Sequence, residues 1–179
     1  MDSFEAIVGQ LLQDRYWVKH SVKINLNRQD RLDINKPSSP RPEIDIAAYD
    51  LASDTIYLLE VKSFLDSPGV VLEDVMLQQE AQAGRYKLLT SENYRNVLQR
   101  RFHTDWCSSG HITPKTKVSF GLVAGKVYRN REKEMQQYFD RRGWLFWGPS
   151  LIRGKVLKLA EKGYENNAVT IAAKIITRT

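Results

Sequence analysis

The amino-acid order predicts an α/β protein built on a mixed central sheet flanked by helices. Three observations lead there. Apolar residues recur at helical spacing near both ends of the chain, period-two alternation and short apolar runs fill the middle, and the elements follow in the order αβββα…βαβαα. A chain of 179 residues suits one well-filled domain, spanning 1–179 with its core over about 3–147 and a C-terminal helical pair over 150–178.

Residues 3–13 read as a helix, with Ser3 as N-cap and Phe4, Ile7, Val8, Leu11 and Leu12 on one stripe. From Tyr16 to Leu26 the period changes to two, the mark of a half-buried strand. The polar, Pro/Ser-rich stretch 27–42 reads as a loop. Two strands are expected over about 43–50 and 55–63, joined by a turn at Ala52, Ser53 and Asp54. A long helix follows over about 71–89, and then a helical piece in SENYRNVLQRRF. Residues 117–128 form an apolar run suited to a sheet centre. Residues 131–142 form an amphipathic helix stopped at Gly143, and WLFW (144–147) a short strand. Helices over 150–162 and 167–178 complete the chain, the second with Ala168, Ala172, Ile175 and Ile176 as its expected buried stripe.

The net charge of +6 suits a polyanionic partner. A lone cysteine, Cys107, excludes an intrachain disulfide and points to a reducing compartment. The N-terminal residues carry early acids where a signal peptide carries basic ones, and no apolar run approaches a membrane span. The expectation is a cytoplasmic protein with no membrane partner.

The chemistry concentrates in PEIDIAAYDLASDTIYLLEVKSF, residues 42–64. Glu60 and Lys62 interrupt an otherwise apolar strand, a position that excludes both residue types unless they are paired or used. Alternation puts Glu60 and Lys62 on one face and Glu43 and Asp45 on one face of the preceding strand. If the two strands pair, Asp45 and Glu60 converge, and a divalent cation relieves their repulsion. Hard oxygen ligands suit Mg²⁺ or Mn²⁺, which can orient and acidify a water. Lys62 could then position the attacking hydroxide or stabilise charge on a scissile phosphate. The chemistry implied is phosphodiester hydrolysis.

These residues resemble the PD-(D/E)XK nuclease superfamily, whose motif is an acid on one strand and (D/E)-x-K on the next. Asp45, fourteen intervening residues and Glu60-Val61-Lys62 match it, with Ile44 where the family often has proline. The resemblance implies a restriction-endonuclease-like fold and a Mg²⁺- or Mn²⁺-dependent nuclease acting on nucleic acid, most simply DNA. It implies a metal set of Asp45, Glu60, Glu5 and Val61, with Glu5 on the first helix. Gln82-Ala83-Gly84-Arg85-Tyr86 also matches the Q-x-x-x-Y element of RecB-like exonucleases, which adds Gln82 and Tyr86 as site residues. The alternative is a non-catalytic nucleic-acid-binding module or subunit that retains the fold. A homodimer or larger assembly remains open.

Other features point less far. His103, Cys107 and His111 fall short of the four ligands of a structural zinc site. Arg95, Arg100 and Arg101, interleaved with Tyr94, Phe102 and Trp106, fit either a nucleic-acid-facing segment or an amphipathic helix with core aromatics. Arg153, Lys155, Lys158, Lys162, Lys174 and Arg178 read as a solvated face, and Trp144 and Trp147 as core.

Overall fold

The computed structural model describes residues 2–35, 41–77 and 86–177. Five strands form one sheet in sequence order: β1 (Trp17–Lys23), β2 (Glu43–Asp50), β3 (Thr55–Lys62), β4 (Lys117–Ala124) and β5 (Leu145–Trp147). The β1–β2 and β2–β3 pairs are antiparallel; β3–β4 and β4–β5 are parallel. The sheet is therefore mixed, as the sequence predicts. β3 is its middle strand, and the alternation of residues 55–62 sends apolar side chains to both faces.

Helices cover both sides: α1 (Ser3–Leu12), α2 (Arg28–Asp33), α3 (Leu72–Met76), α4 (Lys87–Thr90), α5 (Glu92–Ser108), α6 (Glu132–Arg141), α7 (Pro149–Glu161) and α8 (Ala168–Thr177). On one face Val8, Leu11 and Leu12 of α1 cluster with Ile46, Leu59, Val61 and Val123, and with Ile152, Leu159 and Ala173 of α7 and α8. On the other, Leu98 and Phe102 of α5 cluster with Ala47, Ile56, Leu58 and Phe120. A neighbouring cluster joins Met135 and Phe139 of α6 to Leu122, Ala124 and Phe146. Gly125, just past β4, lets α1 approach the strand ends: a Cβ there would lie 2.5 Å from the Ser63 carbonyl and 3.1 Å from the Phe4 ring. The N-terminal turn of α1 is thereby held beside the end of β3.

Several sequence expectations shift. The N-cap of α1 is Asp2, not Ser3: Glu5 N–H donates to Asp2 Oδ1 at 2.8 Å, and Asp2 N–H donates to Glu5 Oε2 at 3.1 Å. This reciprocal capping box satisfies two end groups at once, which a serine one position later could not do. α2 lies inside the expected loop 27–42, set by a second capping box between Asn27 and Asp30. The helix expected over 71–89 is not continuous, because Leu77 takes ψ 117° and ends α3, and α4 starts only after Tyr86. The expected strand 117–128 ends at Ala124 and passes into a 3₁₀ turn, Tyr128–Asn130.

The buried stripe expected on α8 is also corrected. Ala168 and Ala172 are exposed, and Ile175 and Ile176 are 73% and 77% exposed. The helix docks through Thr170 and Ala173 instead, whose small side chains permit close approach to α7. No described helix is long and apolar enough to cross a membrane.

Candidate active site

The β2–β3 ladder runs from Asp50↔Thr55 to Ile46↔Leu59, while β3 continues along β4 as Glu60↔Leu122, Val61↔Val123 and Lys62↔Ala124. Beyond Ile46 the Asp45 side chain takes over from the ladder: Val61 N–H donates to Asp45 Oδ2 at 2.8 Å. A charge-assisted bond to a main-chain donor fixes the carboxylate more firmly than a neutral contact would. Asp45 is thus aimed at β3 by the backbone of the residue between Glu60 and Lys62.

Glu60 and Lys62 project to the same side, and Lys62 Nζ lies 2.6 Å from Glu60 Oε1 and 3.4 Å from Asp45 Oδ2. The three side chains are 19–23% exposed, Glu60 at 19%, Asp45 at 20% and Lys62 at 23%. They form one partly sheltered cluster opening at the strand end. Burial raises the Glu60 pKa, and the charges of Asp45 and Glu5 add to it against the opposing pull of Lys62. Burial works against the Lys62 ammonium, but Glu60 and Asp45 more than offset it, so its pKa is raised and the group stays charged at neutral pH. One ammonium does not neutralise the carboxylates, and Glu60 still strains toward protonation.

The remaining candidates are placed as follows. Glu5 is half-buried in the first turn of α1, closing the capping box, and its charge reaches both Glu60 and His20. Val61 is buried, and its N–H serves to hold Asp45. Tyr86 is buried in the apolar cluster of Val70, Leu89, Leu122 and Phe139. Gln82 lies outside the described residues. Glu43 is exposed at the start of β2, opposite Lys23.

Among the described residues, no group of three or more His, Cys, Asp or Glu side chains is arranged to hold a metal ion. Asp45 and Glu60 both reach Lys62 Nζ, and their all-oxygen donor set is of the chemistry that suits a hard divalent cation. The His103–Cys107–His111 run does not assemble: Cys107 Sγ lies 3.7 Å from His103 Nδ1, while His111 turns to Ser109 Oγ at 2.7 Å.

The α5 arginines are used internally. Arg95 is buried, donates to the Leu89 carbonyl at 2.7 Å and lies 5.0 Å from the Trp144 ring centroid. Arg100 Nη2 donates to Asp30 Oδ1 at 2.7 Å, and Arg101 Nε pairs with Asp30 Oδ2. Phe102 is fully buried and stacks on Trp106. The aromatics pack against the core, as one of the two readings has it; Arg95 is buried, while Arg100 pairs with Asp30 and is still 59% exposed.

Tyr94, already noted among the α5 aromatics, and His20, not singled out from the sequence, feel charges of this region. Tyr94 on α5 has its pKa pushed up to about 12 by burial and then by the charge of Glu60, so its hydroxyl remains a neutral donor. His20 on β1 packs against Gly9, and its Nδ1 is enclosed without a hydrogen-bond partner. An unpaired buried polar atom costs about 1–3 kcal/mol, which packing of an imidazole alone does not justify. Period-two alternation could show only that His20 faces inward. The glycine opposite it, Gly9, was the available signal.

No protein-family model, curated protein or solved structure matches the chain.

Proposed function

We propose that this chain is a Mg²⁺- or Mn²⁺-dependent nuclease that hydrolyses phosphodiester bonds, with DNA as the substrate class. The observation that carries the reading is the convergence of Asp45 and Glu60 on Lys62, two carboxylates each within 3.4 Å of one ammonium, on adjacent strands. Asp45 and Glu60 would hold the cation, with Glu5 in support from α1. A bound divalent ion supplies charge at the phosphate and a water of lowered pKa. The protein's own residues do the rest. Val61 N–H keeps Asp45 turned to the cluster, and Glu60 supplies a second oxygen whose raised pKa measures how strongly it calls for positive charge. Lys62, charged throughout the neutral range, orients a nucleophile or stabilises a developing phosphorane by electrostatics rather than by abstracting a proton. The net charge of +6 favours approach of a polyanion.

A second reading is favoured by the ion pairs themselves. Lys62 already bridges both carboxylates, which also suits a non-catalytic nucleic-acid-binding module of the same architecture. Calorimetric titration with Mg²⁺ and Mn²⁺ separates the two. The nuclease reading expects binding that Asp45→Asn and Glu60→Gln each weaken. Absence of any binding, or binding indifferent to both substitutions, leaves the module.

A further inference from the structure

Helix α5 and the start of β4 flank a groove of about 590 Å³ that includes none of Asp45, Glu60 and Lys62. Asn96, Gln99, Arg100 and His103 line it from α5, and Lys115 and Lys117 from the entry to β4. None of its lining residues is acidic. The four α5 residues form one stripe of the helix, and the stripe behind them, Arg95, Leu98 and Phe102, is buried.

Both walls are held in place. Arg100 Nη2 donates to Asp30 Oδ1 at 2.7 Å, while Arg101 takes the other oxygen, so two guanidiniums share one negative charge. Across the groove, Thr113 N–H donates to Thr116 Oγ1 at 3.0 Å, and Thr116 Oγ1 donates to Asp54 Oδ1 at 2.8 Å. These bonds pin the turn that carries Lys115. Lys115 and Lys117 are exposed, and among the described residues neither forms an ion pair. Cations gathered around a concavity without an acid concentrate positive potential there. Amides, arginine and lysine together are the donors that hold phosphate oxygens.

The position of the groove indicates the kind of anion. Val118 and Phe120 of β4 pack with Ala47 and Leu58. Alternation places Asp45 on the face of Ala47, and Glu60 and Lys62 on the face of Leu58. Groove and cluster therefore share the α5 side of the sheet. Lys117 is level with Thr55 and Ala124 with Lys62, so the length of β4 between them, about 23 Å, separates the two sites. A single phosphate cannot span that distance. A duplex rising about 3.4 Å per base pair covers it in about seven base pairs.

We propose that this groove is a second, non-catalytic site that binds the phosphodiester backbone of DNA and holds it about seven base pairs from the cluster. That the same molecule is cleaved at the cluster rests on the nuclease reading; that the groove binds the backbone does not.

The test uses the full chain and a duplex of about 20 base pairs, with binding read by fluorescence anisotropy in chelator. Lys115→Ala/Lys117→Ala is expected to flatten the slope of log affinity against log salt by about 1 per lysine, which is about tenfold per lysine at about 0.1 M salt. Gln99→Glu, which puts an acid into the wall, should weaken binding as well. Arg153→Ala/Lys158→Ala removes exposed cations from α7, on the other side of the sheet, and should keep the wild-type slope. All these side chains lie at least partly in solvent, so thermal melting should match the wild type. An unchanged slope in the groove variant, or an equal fall in the α7 variant, overturns the proposal. Calorimetry with inorganic phosphate separates the sources: tight binding that the groove variant abolishes marks a small-anion site and overturns it, and no binding supports it. In Mg²⁺ the groove variant should raise KM for the long duplex with kcat unchanged, and leave a hairpin of about five base pairs, too short to reach both sites, unaffected. A wild type that cleaves nothing with either metal overturns the nuclease reading, and the salt slopes still decide the groove.

Discussion

Lys62→Met takes away the ammonium that lies 2.6 Å from Glu60 and 3.4 Å from Asp45. At an effective dielectric of about 20, unit charges 4 Å apart interact by about 4 kcal/mol, before desolvation is subtracted. Removing one partner of a buried pair costs about 3–5 kcal/mol, because the other charge is stranded. Here solvent screens the cluster to some extent and Glu60 can take up a proton, so the loss should sit at the lower end, about 3 kcal/mol near neutral pH. For a chain of this size that corresponds to a fall in Tm of about 6–12 °C. The sign of the pH dependence follows from Glu60. Its folded pKa is raised, so the folded state binds more protons than the unfolded one and stability falls as pH rises through that interval. Without Lys62 the elevation grows, so the variant loses most at neutral pH and regains stability relative to wild type as Glu60 protonates. Urea denaturation of both proteins at about pH 7.5 and about pH 4 measures this directly. A loss below about 1 kcal/mol at the higher pH, or an equal loss at both, refutes the coupled-cluster reasoning.

Three further outcomes are expected. Asp30→Ala, which removes a carboxylate 1% exposed that holds Arg100, Arg101 and the Asn27 N–H, should cost about 3 kcal/mol in urea denaturation at neutral pH. Burial raises the Asp30 pKa, but the Asn27 N–H and the two arginines lower it further, so its stabilisation is complete at neutral pH and fades as pH falls through the lowered folded value. Arg95→Met should cost about 2 kcal/mol by taking the donor from the Leu89 carbonyl and the guanidinium from the Trp144 ring, while Mn²⁺ affinity by calorimetry stays at the wild-type level. Ile175→Lys and Ile176→Lys should each change stability by about 0.5 kcal/mol or less in thermal melting, since both side chains are largely exposed; a loss several times larger would restore the stripe expected from the sequence.

The strands and the cluster were legible because their signals are local. A glutamate and a lysine two apart on an apolar strand share a face whatever the rest of the fold does, and the short turn after Asp50 forces β3 back along β2. What escaped the sequence depends on distant partners. α2 hides in a polar stretch because Asp30 is stabilised by Arg100 and Arg101, some seventy residues on. The same arginines fitted a nucleic-acid-facing segment and an amphipathic helix equally, because nothing local revealed that Asp30 would pair with them. Leu77 carries no glycine or proline to announce the end of α3. On α8 the apolar pattern gave a helix correctly but not which side would meet α7, a choice settled by the small residues Thr170 and Ala173. Gly9 and His20 gain meaning only when β1 is laid against α1.

Cleavage itself is the most direct measurement. Linear, circular and single-stranded DNA are incubated with the wild type, Lys62→Ala and Asp45→Asn, in Mg²⁺, in Mn²⁺ and in chelator. The account predicts metal-dependent hydrolysis of at least one substrate by the wild type, lost in chelator and in both variants. No cleavage under any condition, or cleavage that survives Lys62→Ala, contradicts it.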